Sequence, residues 1–452
     1  MKLVVAVVSL LHVSSILNLQ SQEASKMPEF TWDKIQLYFH GRKATAFTNT
    51  EIAYLAQFPL ITLEKTTGNQ TYTTTEEGSI QAARSIKAVN PKAKVLYYRN
   101  VMVHYGTYAV NQSLSAISDP FLKNRTTGEV LQLVGANPGY DISKEAVRKW
   151  WVDHCIAMSE QPEIDGIFVD GSVKALTPGY FLTELGQAKK NQILAGYDLM
   201  MESLKSRISQ EKLNFANLIR ATLDDSGLER MHFFDGSYIE NFIGDKDYIA
   251  KGIAAAQSVA RQNKLLTFTF FITDNLPSEI PTDENGYLVL SEEHQNLFNL
   301  YLAIYLICAE KYSYFLVTEN YDINPGKNRF WMKQFAEYNK ALGRPLGVAF
   351  KNGYIYTREF EYASVRLNLN TMTGTINWHS SPSNVTPTAQ GQITVHSANK
   401  KLYLSSGIGQ TIRVYNLMGE VVWNGFINHE VTEIPLPSGA YVVNQLRKII
   451  II

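Results

Sequence analysis

Short apolar runs and longer helical patterns alternate along the first 345 positions of the chain. The apolar runs predict strands at Ile35–Phe39, Leu60–Leu63, Val95–Arg99, Ile164–Asp170, Asn214–Leu218, Ser237–Glu240, Leu265–Ile272 and Tyr314–Val317. Between them, apolar residues recur at helical spacing over 76–89, 145–160, 184–209, 292–310 and 327–342, with Asn49 placed to open a shorter helix and Gly343 as the residue that stops the last one. Strand-then-helix repetition predicts a parallel sheet flanked by helices, an α/β chain. Eight such units close naturally into a (β/α)₈ TIM barrel, expected over residues 27–345. A doubly wound open sheet shares the alternation, but no G-x-G-x-x-G follows the first strand.

The period changes after Pro345. Residues 346–380 alternate apolar and polar positions, with turn signals at Asn352-Gly353 and around Thr373-Gly374, which predicts antiparallel strands packed on the barrel. Residues 381–390 are rich in Ser, Pro, Asn and Thr and read as a linker. Residues 391–452 read as a small C-terminal β-sandwich.

Charge, the N-terminus and cysteine usage add three constraints. Lys and Arg total 42 and Asp and Glu total 42, so the formal net charge is zero and neither a nucleic-acid partner nor an anionic membrane surface is suggested. Residues 1–22 start with Lys2 and continue into an apolar stretch too short to span a bilayer, which reads as a signal peptide and predicts a secreted or cell-surface protein with no membrane-spanning segment. Cys155 and Cys308 both fall in helical patterns among apolar residues and read as buried free thiols; two cysteines do not make a cysteine metal site. No cofactor motif is present.

The candidate chemistry lies at the strand ends, where catalytic groups of such barrels gather. The polar residues there are His40, Glu64, Arg99, Asn100, Asp170, Asn217, Glu240, Asp274 and Glu319, and the side-chain period of two means that not all of them can face inward. Residues 101–144 form a long excursion carrying His104, Tyr105 and Tyr108, expected to wall a binding cleft. Asp170 and Glu240 stand out because each ends an apolar run, two strands apart. Two carboxyl groups flanking a bond are what glycosidic cleavage requires. The bland alternative is that one of them is a buried partner of Arg99. His40, Glu64, Tyr98, Asn100, His104, Tyr105, Asn217, Asp274 and Glu319 are expected to bind sugar hydroxyls or stack on sugar faces.

The runs VLYYRN (95–100), IDGIFVDGS (164–172), GSYIENF (236–242) and GRPLGVAF…YTREFEYASVRLNLN (343–370) resemble the hypothetical glycosyl hydrolases of bacterial polysaccharide degraders, a set of TIM barrels. The barrel also resembles the retaining α-glycosidases, whose nucleophile is an Asp ending strand four and whose acid/base ends strand six. That resemblance implies Asp170 as nucleophile and Glu240 as acid/base. Glu240 would then need a raised pKa, from burial beside Tyr238 and Phe242 or from the Asp170 charge. The tail segments IRVYNLMGEVVWNG (412–425), IPLPSGAYVV (434–443) and LRKIIII resemble the sorting modules of Bacteroidetes type IX secretion, which implies the secretion machinery as a partner. The expected function is a secreted glycoside hydrolase acting on a carbohydrate substrate. Two other readings stay open, a non-catalytic glycan-binding protein on a glycosidase-like barrel and a metal-dependent sugar deacetylase.

Overall fold

The computed structural model describes residues 25–274, 276–380, 394–398, 401–405, 411–426, 431–443 and 447–451. The expected signal peptide (1–22) and linker (381–390) lie outside the described residues.

Eight parallel strands form one sheet in chain order: β1 (Phe39–Gly41), β2 (Leu60–Leu63), β3 (Lys94–Asn100), β4 (Gly166–Asp170), β5 (Leu213–Asn217), β6 (Gly236–Glu240), β7 (Leu265–Phe271) and β8 (Ser313–Thr318). The sheet closes on itself. The Phe315 N–H donates to the Gln36 carbonyl at 2.8 Å, and the Tyr38 N–H donates to the Phe315 carbonyl at 3.2 Å. The barrel interior is filled by inward-pointing Tyr38, Leu60, Leu96, Tyr98, Phe168, Leu213, Phe215, Tyr238, Leu265 and Tyr314. Alternate residues, such as Ile61, Val95, Ile167, Ala216, Ile239 and Phe268, point out into the layer covered by helices. At the end where the strands begin, Met27 and Phe30 pack against the interior cluster. The Tyr314 hydroxyl donates there to the Pro28 and Glu29 carbonyls, so the opposite mouth is the open one.

The eight strands lie within a residue or two of their expected positions except β1, which is displaced toward Gly41. The helices divide differently. Thr75–Val89, Glu145–Ser159 and Glu292–Cys308 match the pattern. The 184–209 pattern is broken by Gly186 into Leu182–Leu185 and Gln187–Arg207. The short first helix, Asn49–Leu55, is capped by Thr48 rather than Asn49, through a capping box with Glu51. No helix forms over 327–342. That segment keeps only a 3₁₀ turn at Ala336–Asn339. Side chains take backbone donors a helix would need: the Arg329 N–H donates to Glu319 Oε2, and the Phe330 N–H to Asn328 Oδ1. Phe335 and Tyr338 instead pack against Phe298 of the preceding helix.

Strands β9 (Phe350–Asn352), β10 (Ile355–Glu359), β11 (Ala363–Asn368) and β12 (Thr373–Trp378) form an antiparallel sheet, as the alternation predicts. It lies against helix Glu292–Cys308. Gly374 meets that helix so closely that a Cβ would sit 2.4 Å from the Asn299 carbonyl oxygen. Buried Arg358 of β10 donates to the Leu306 carbonyl at 3.1 Å and pairs with Glu310 at 2.8 Å, placing a cation on the negative end of the helix. Beyond residue 393 the described strands form two further antiparallel sheets, one of three strands and one of four, around Leu402, Leu404, Ile412, Val414 and Ile434. This is a small β-sandwich.

Candidate active site

The polar residues that gather at the open mouth are those in register with the interior tyrosines. Tyr98 and Asn100 of β3, Phe168 and Asp170 of β4, Asn217 of β5, and Tyr238 and Glu240 of β6 all project inward because each pair is two residues apart. They line or back a cleft of about 490 Å³ with His40, Glu64, Lys65, Tyr105, Lys174, Arg220 and Tyr321. This size suits a small glycan segment.

Three donors converge on Asp170. Oδ2 accepts from the Tyr98 hydroxyl and from Asn100 Nδ2 at 2.8 Å, and Oδ1 accepts from Asn217 Nδ2 at 3.2 Å. Burial first, and the Asp170 charge second, push the Tyr98 phenol well above its ordinary range, so it remains a donor. Gly171 follows in the left-handed region at φ 83°, and a Cβ there would lie 2.5 Å from Asn100 Oδ1. Glycine at this turn is what lets Asn100 reach the acid.

Glu240 is held just as closely. Its Oε2 accepts from Arg220 Nη2 at 3.0 Å and from Asn217 Nδ2 at 3.1 Å, and its Oε1 accepts from the Tyr321 hydroxyl at 3.1 Å. One Asn217 nitrogen therefore bonds both acids. With those bonds 3.2 and 3.1 Å long, Asp170 Oδ1 and Glu240 Oε2 lie no farther apart than about 6.3 Å. The Tyr238 and Tyr321 hydroxyls are bonded to each other, and burial raises both phenols well above their usual range. Phe242 is not beside Glu240; it turns outward against Phe268 and Phe270.

The neighbouring corner is a fixed ion cluster. Glu64 meets His40 Nε2 at 3.0 Å, Arg42 Nη1 at 2.5 Å and Lys65 Nζ at 3.1 Å. Burial alone would raise the Glu64 carboxyl, but Lys65, His40 and Arg42 outweigh it and hold the group well below the usual carboxylate range. His40 stacks on the Tyr238 ring at 5.0 Å. Lys65 lies over the rings of Tyr98 and Tyr105 at 4.7 and 5.3 Å.

The fold thus brings together His40, Glu64, Tyr98, Asn100, Tyr105, Asp170, Asn217 and Glu240, and leaves three of the expected residues outside. His104 Nδ1 sits 3.1 Å from the Tyr140 hydroxyl and its ring meets Phe121 edge-on at 5.1 Å, away from the cleft. Asp274 is exposed, and its carbonyl oxygen lies 2.8 Å from His294 Nε2. Glu319 is tied to Arg329. Arg99 is no partner of either acid. It points into the outer layer, where its guanidinium lies 4.3 Å from the Tyr108 ring centre and 5.2 Å from that of Trp150. Of the long excursion, Tyr105 and the hairpin residue Val134 reach the cleft.

Sequence reasoning missed Arg220, Lys65, Lys174 and Tyr321. Arg220 and Tyr321 each lie three residues beyond a strand end, where no periodicity assigns direction. Lys65 directly follows an expected site residue, and adjacency to Glu64 was the available signal. Among the described residues, no group of three or more His, Cys, Asp or Glu is arranged to hold a metal ion. No helix among the described residues is long and apolar enough to cross a membrane.

Solved structures similar to this chain include the glycoside hydrolase domain of PelA from Pseudomonas aeruginosa, at 12% identity over 53% of this chain and 85% of that one, with a TM-score of 0.38. An alpha-amylase from Geobacillus thermoleovorans matches at 10% identity over 90% of this chain and 97% of that one, with a TM-score of 0.42. The GH36 alpha-galactosidase AgaA from Geobacillus stearothermophilus matches at 9% identity over 92% and 55% of the two chains, with a TM-score of 0.43. A comparison with curated proteins found no match. Residues 87–364, more than half of the chain and the span that contains both cleft acids, match the family model described as hypothetical glycosyl hydrolase family 15, and the chain belongs to that family.

Proposed function

We propose that the protein is a secreted glycoside hydrolase that cleaves a poly- or oligosaccharide with retention of anomeric configuration. Asp170 is the nucleophile and Glu240 the acid/base. The observation that carries this reading is the single Asn217 amide bonded to both carboxylates, which limits their nearest oxygens to about 6.3 Å. That bound keeps the two acids within the carboxyl separations glycosidases use, about 5–5.5 Å in retaining and about 6.5–9.5 Å in inverting enzymes, and retention is what the resemblance to the retaining α-glycosidases implies. Asp170 Oδ1, which accepts one bond where Oδ2 accepts two, is the oxygen free to attack. It bonds to the anomeric carbon as the glycosidic C–O bond breaks, and the leaving oxygen takes a proton from Glu240. Water then loses a proton to Glu240 and displaces Asp170 from the same carbon. Tyr105, half-buried, supplies a ring along the cleft.

A second reading draws on the ion pair between Glu240 and Arg220. A carboxylate engaged by a guanidinium is poorly placed to carry the proton of a general acid. This favours a glycan-binding protein that retains the cleft without the chemistry. The anomeric form of the first product separates retention from inversion, read by proton NMR on a substrate found by screening plant and host polysaccharides. Retention supports the mechanism, and inversion contradicts Asp170 as nucleophile. Glycan binding with no bond cleavage on any substrate supports the second reading.

A further inference from the structure

We infer that the glycan this cleft takes carries an anionic oxygen group, a carboxylate or a sulfate, seated on Lys174. The inference rests on the glycoside hydrolase reading of the same cleft.

Three basic side chains line the cleft: Lys65, Lys174 and Arg220. Two are already matched. Lys65 pairs with Glu64 at 3.1 Å and is covered by two tyrosine rings, and Arg220 pairs with Glu240 at 3.0 Å. Lys174 has no hydrogen-bond or ion-pair partner among the described residues. It stands on the short helix Ser172–Leu176 that leaves the tip of β4, four residues after Asp170, so it borders the position where a sugar would meet the nucleophile.

The charge balance sharpens in the catalytic state. When all are ionised, Glu64, Asp170 and Glu240 face four cations: Lys65, Lys174, Arg220 and the Arg42 that also pairs with Glu64. The acid step requires Glu240 to carry a proton. Arg220 then loses its counter-charge, and the cleft holds two cations in excess. An uncompensated charge in a partly water-excluded cleft is costly unless the ligand supplies its partner. A neutral glycan leaves both unmatched, whereas an acidic one supplies the missing charge.

The test measures binding, so that it does not depend on turnover. The full chain carrying Asp170→Asn is titrated with polygalacturonate, alginate and hyaluronan, each beside its carboxyl-reduced neutral form, and with carrageenan beside its desulfated form. At least one acidic glycan should bind about tenfold or more tighter than its neutral counterpart, as expected for one charged hydrogen bond. Preference confined to the polyuronides identifies a carboxylate, and preference confined to carrageenan a sulfate. Lys174→Gln in the same background should erase the preference without weakening neutral binding, and Lys174→Arg should keep it. Equal or tighter binding of the neutral forms, no binding of any acidic glycan, or a preference that survives Lys174→Gln overturns the inference. Hydrolysis of neutral glycans by the wild type without acid preference overturns this inference alone. Acid-selective binding with no hydrolysis of any glycan overturns the hydrolase reading alone.

Discussion

Asn217 couples the two acids, because its one amide nitrogen donates to Asp170 at 3.2 Å and to Glu240 at 3.1 Å. Replacing it by alanine removes both bonds and frees two carboxylates to repel and rotate. Loss of one preorganised donor in an active site commonly costs about 10²–10³ in rate. Asn217→Ala is therefore expected to lower kcat by that factor while leaving the thermal midpoint nearly unchanged, as checked by steady-state kinetics beside calorimetry. Arg220 acts on the same acid through another route. Arg220→Gln should move the alkaline limb of the pH–rate profile to higher pH, because the proton donor Glu240 then loses its cation. A profile that keeps its shape would show the ion pair to be structural only. The asymmetry between what the sequence discloses and what it hides is visible here. Asn217, Asp170 and Glu240 end strands, where a period of two points each side chain inward. Arg220 sits in the loop beyond β5 and has no such pointer.

At the scale of elements, the strands were the legible part and the last helix was not. A strand buried on both faces is a continuous apolar run with sharp ends, so its location follows from composition alone. The 327–342 pattern resembled an amphipathic helix because Phe330, Trp331, Phe335 and Tyr338 recur near helical spacing. Phe335 and Tyr338 serve an aromatic cluster against Phe298 and Phe315 instead, Phe330 packs on Phe335 and Trp331 on Phe39 and Tyr54, while Asn328 and Arg329 bind the loop after β8. Tertiary packing overrode local periodicity. The β9–β12 sheet makes a testable joint with the barrel. Buried Arg358 donates to the carbonyls that end helix Glu292–Cys308 and pairs with Glu310. Arg358→Met should leave those carbonyls without partners and cost about 2–4 kcal/mol in urea unfolding. A loss below half a kcal/mol would mean that the sheet is held by Gly374 and its neighbours alone.

At the scale of the molecule, the buried groups His154 and Glu64 both make stability fall toward acid pH. His154 is held well below its ordinary value of 6.5, by burial first and by Arg99 second. The unfolded chain then binds a proton that the folded one refuses, so stability falls as pH drops below about 6.5. Glu64 is held below its ordinary value of 4.5. Its contribution is present above about pH 4.5 and lost as pH falls through the folded value. The urea midpoint should accordingly decline in two stages below neutrality, and His154→Gln should shrink the first, to which half-buried His104, held low by burial and then by Arg99, also contributes. A midpoint that stays flat from pH 7 to pH 5 in the wild type contradicts the His154 assignment. The sandwich beyond residue 393 has its own core around Leu402, Leu404 and Ile434. A chain ending at residue 380 is expected to keep its hydrolytic activity and barrel stability. Unfolding or aggregation of that chain would make barrel and sandwich one cooperative unit.

The central claim, that Asp170 is the nucleophile of a glycosidase, is tested most directly by one comparison. Wild type and Asp170→Asn are incubated side by side with a panel of neutral and acidic polysaccharides, and newly formed reducing ends are counted. The substitution is nearly isosteric, so the variant should fold and bind glycan as before while its turnover falls by about 10³ or more on every glycan the wild type cleaves. Cleavage by Asp170→Asn at the wild-type rate would contradict the assignment.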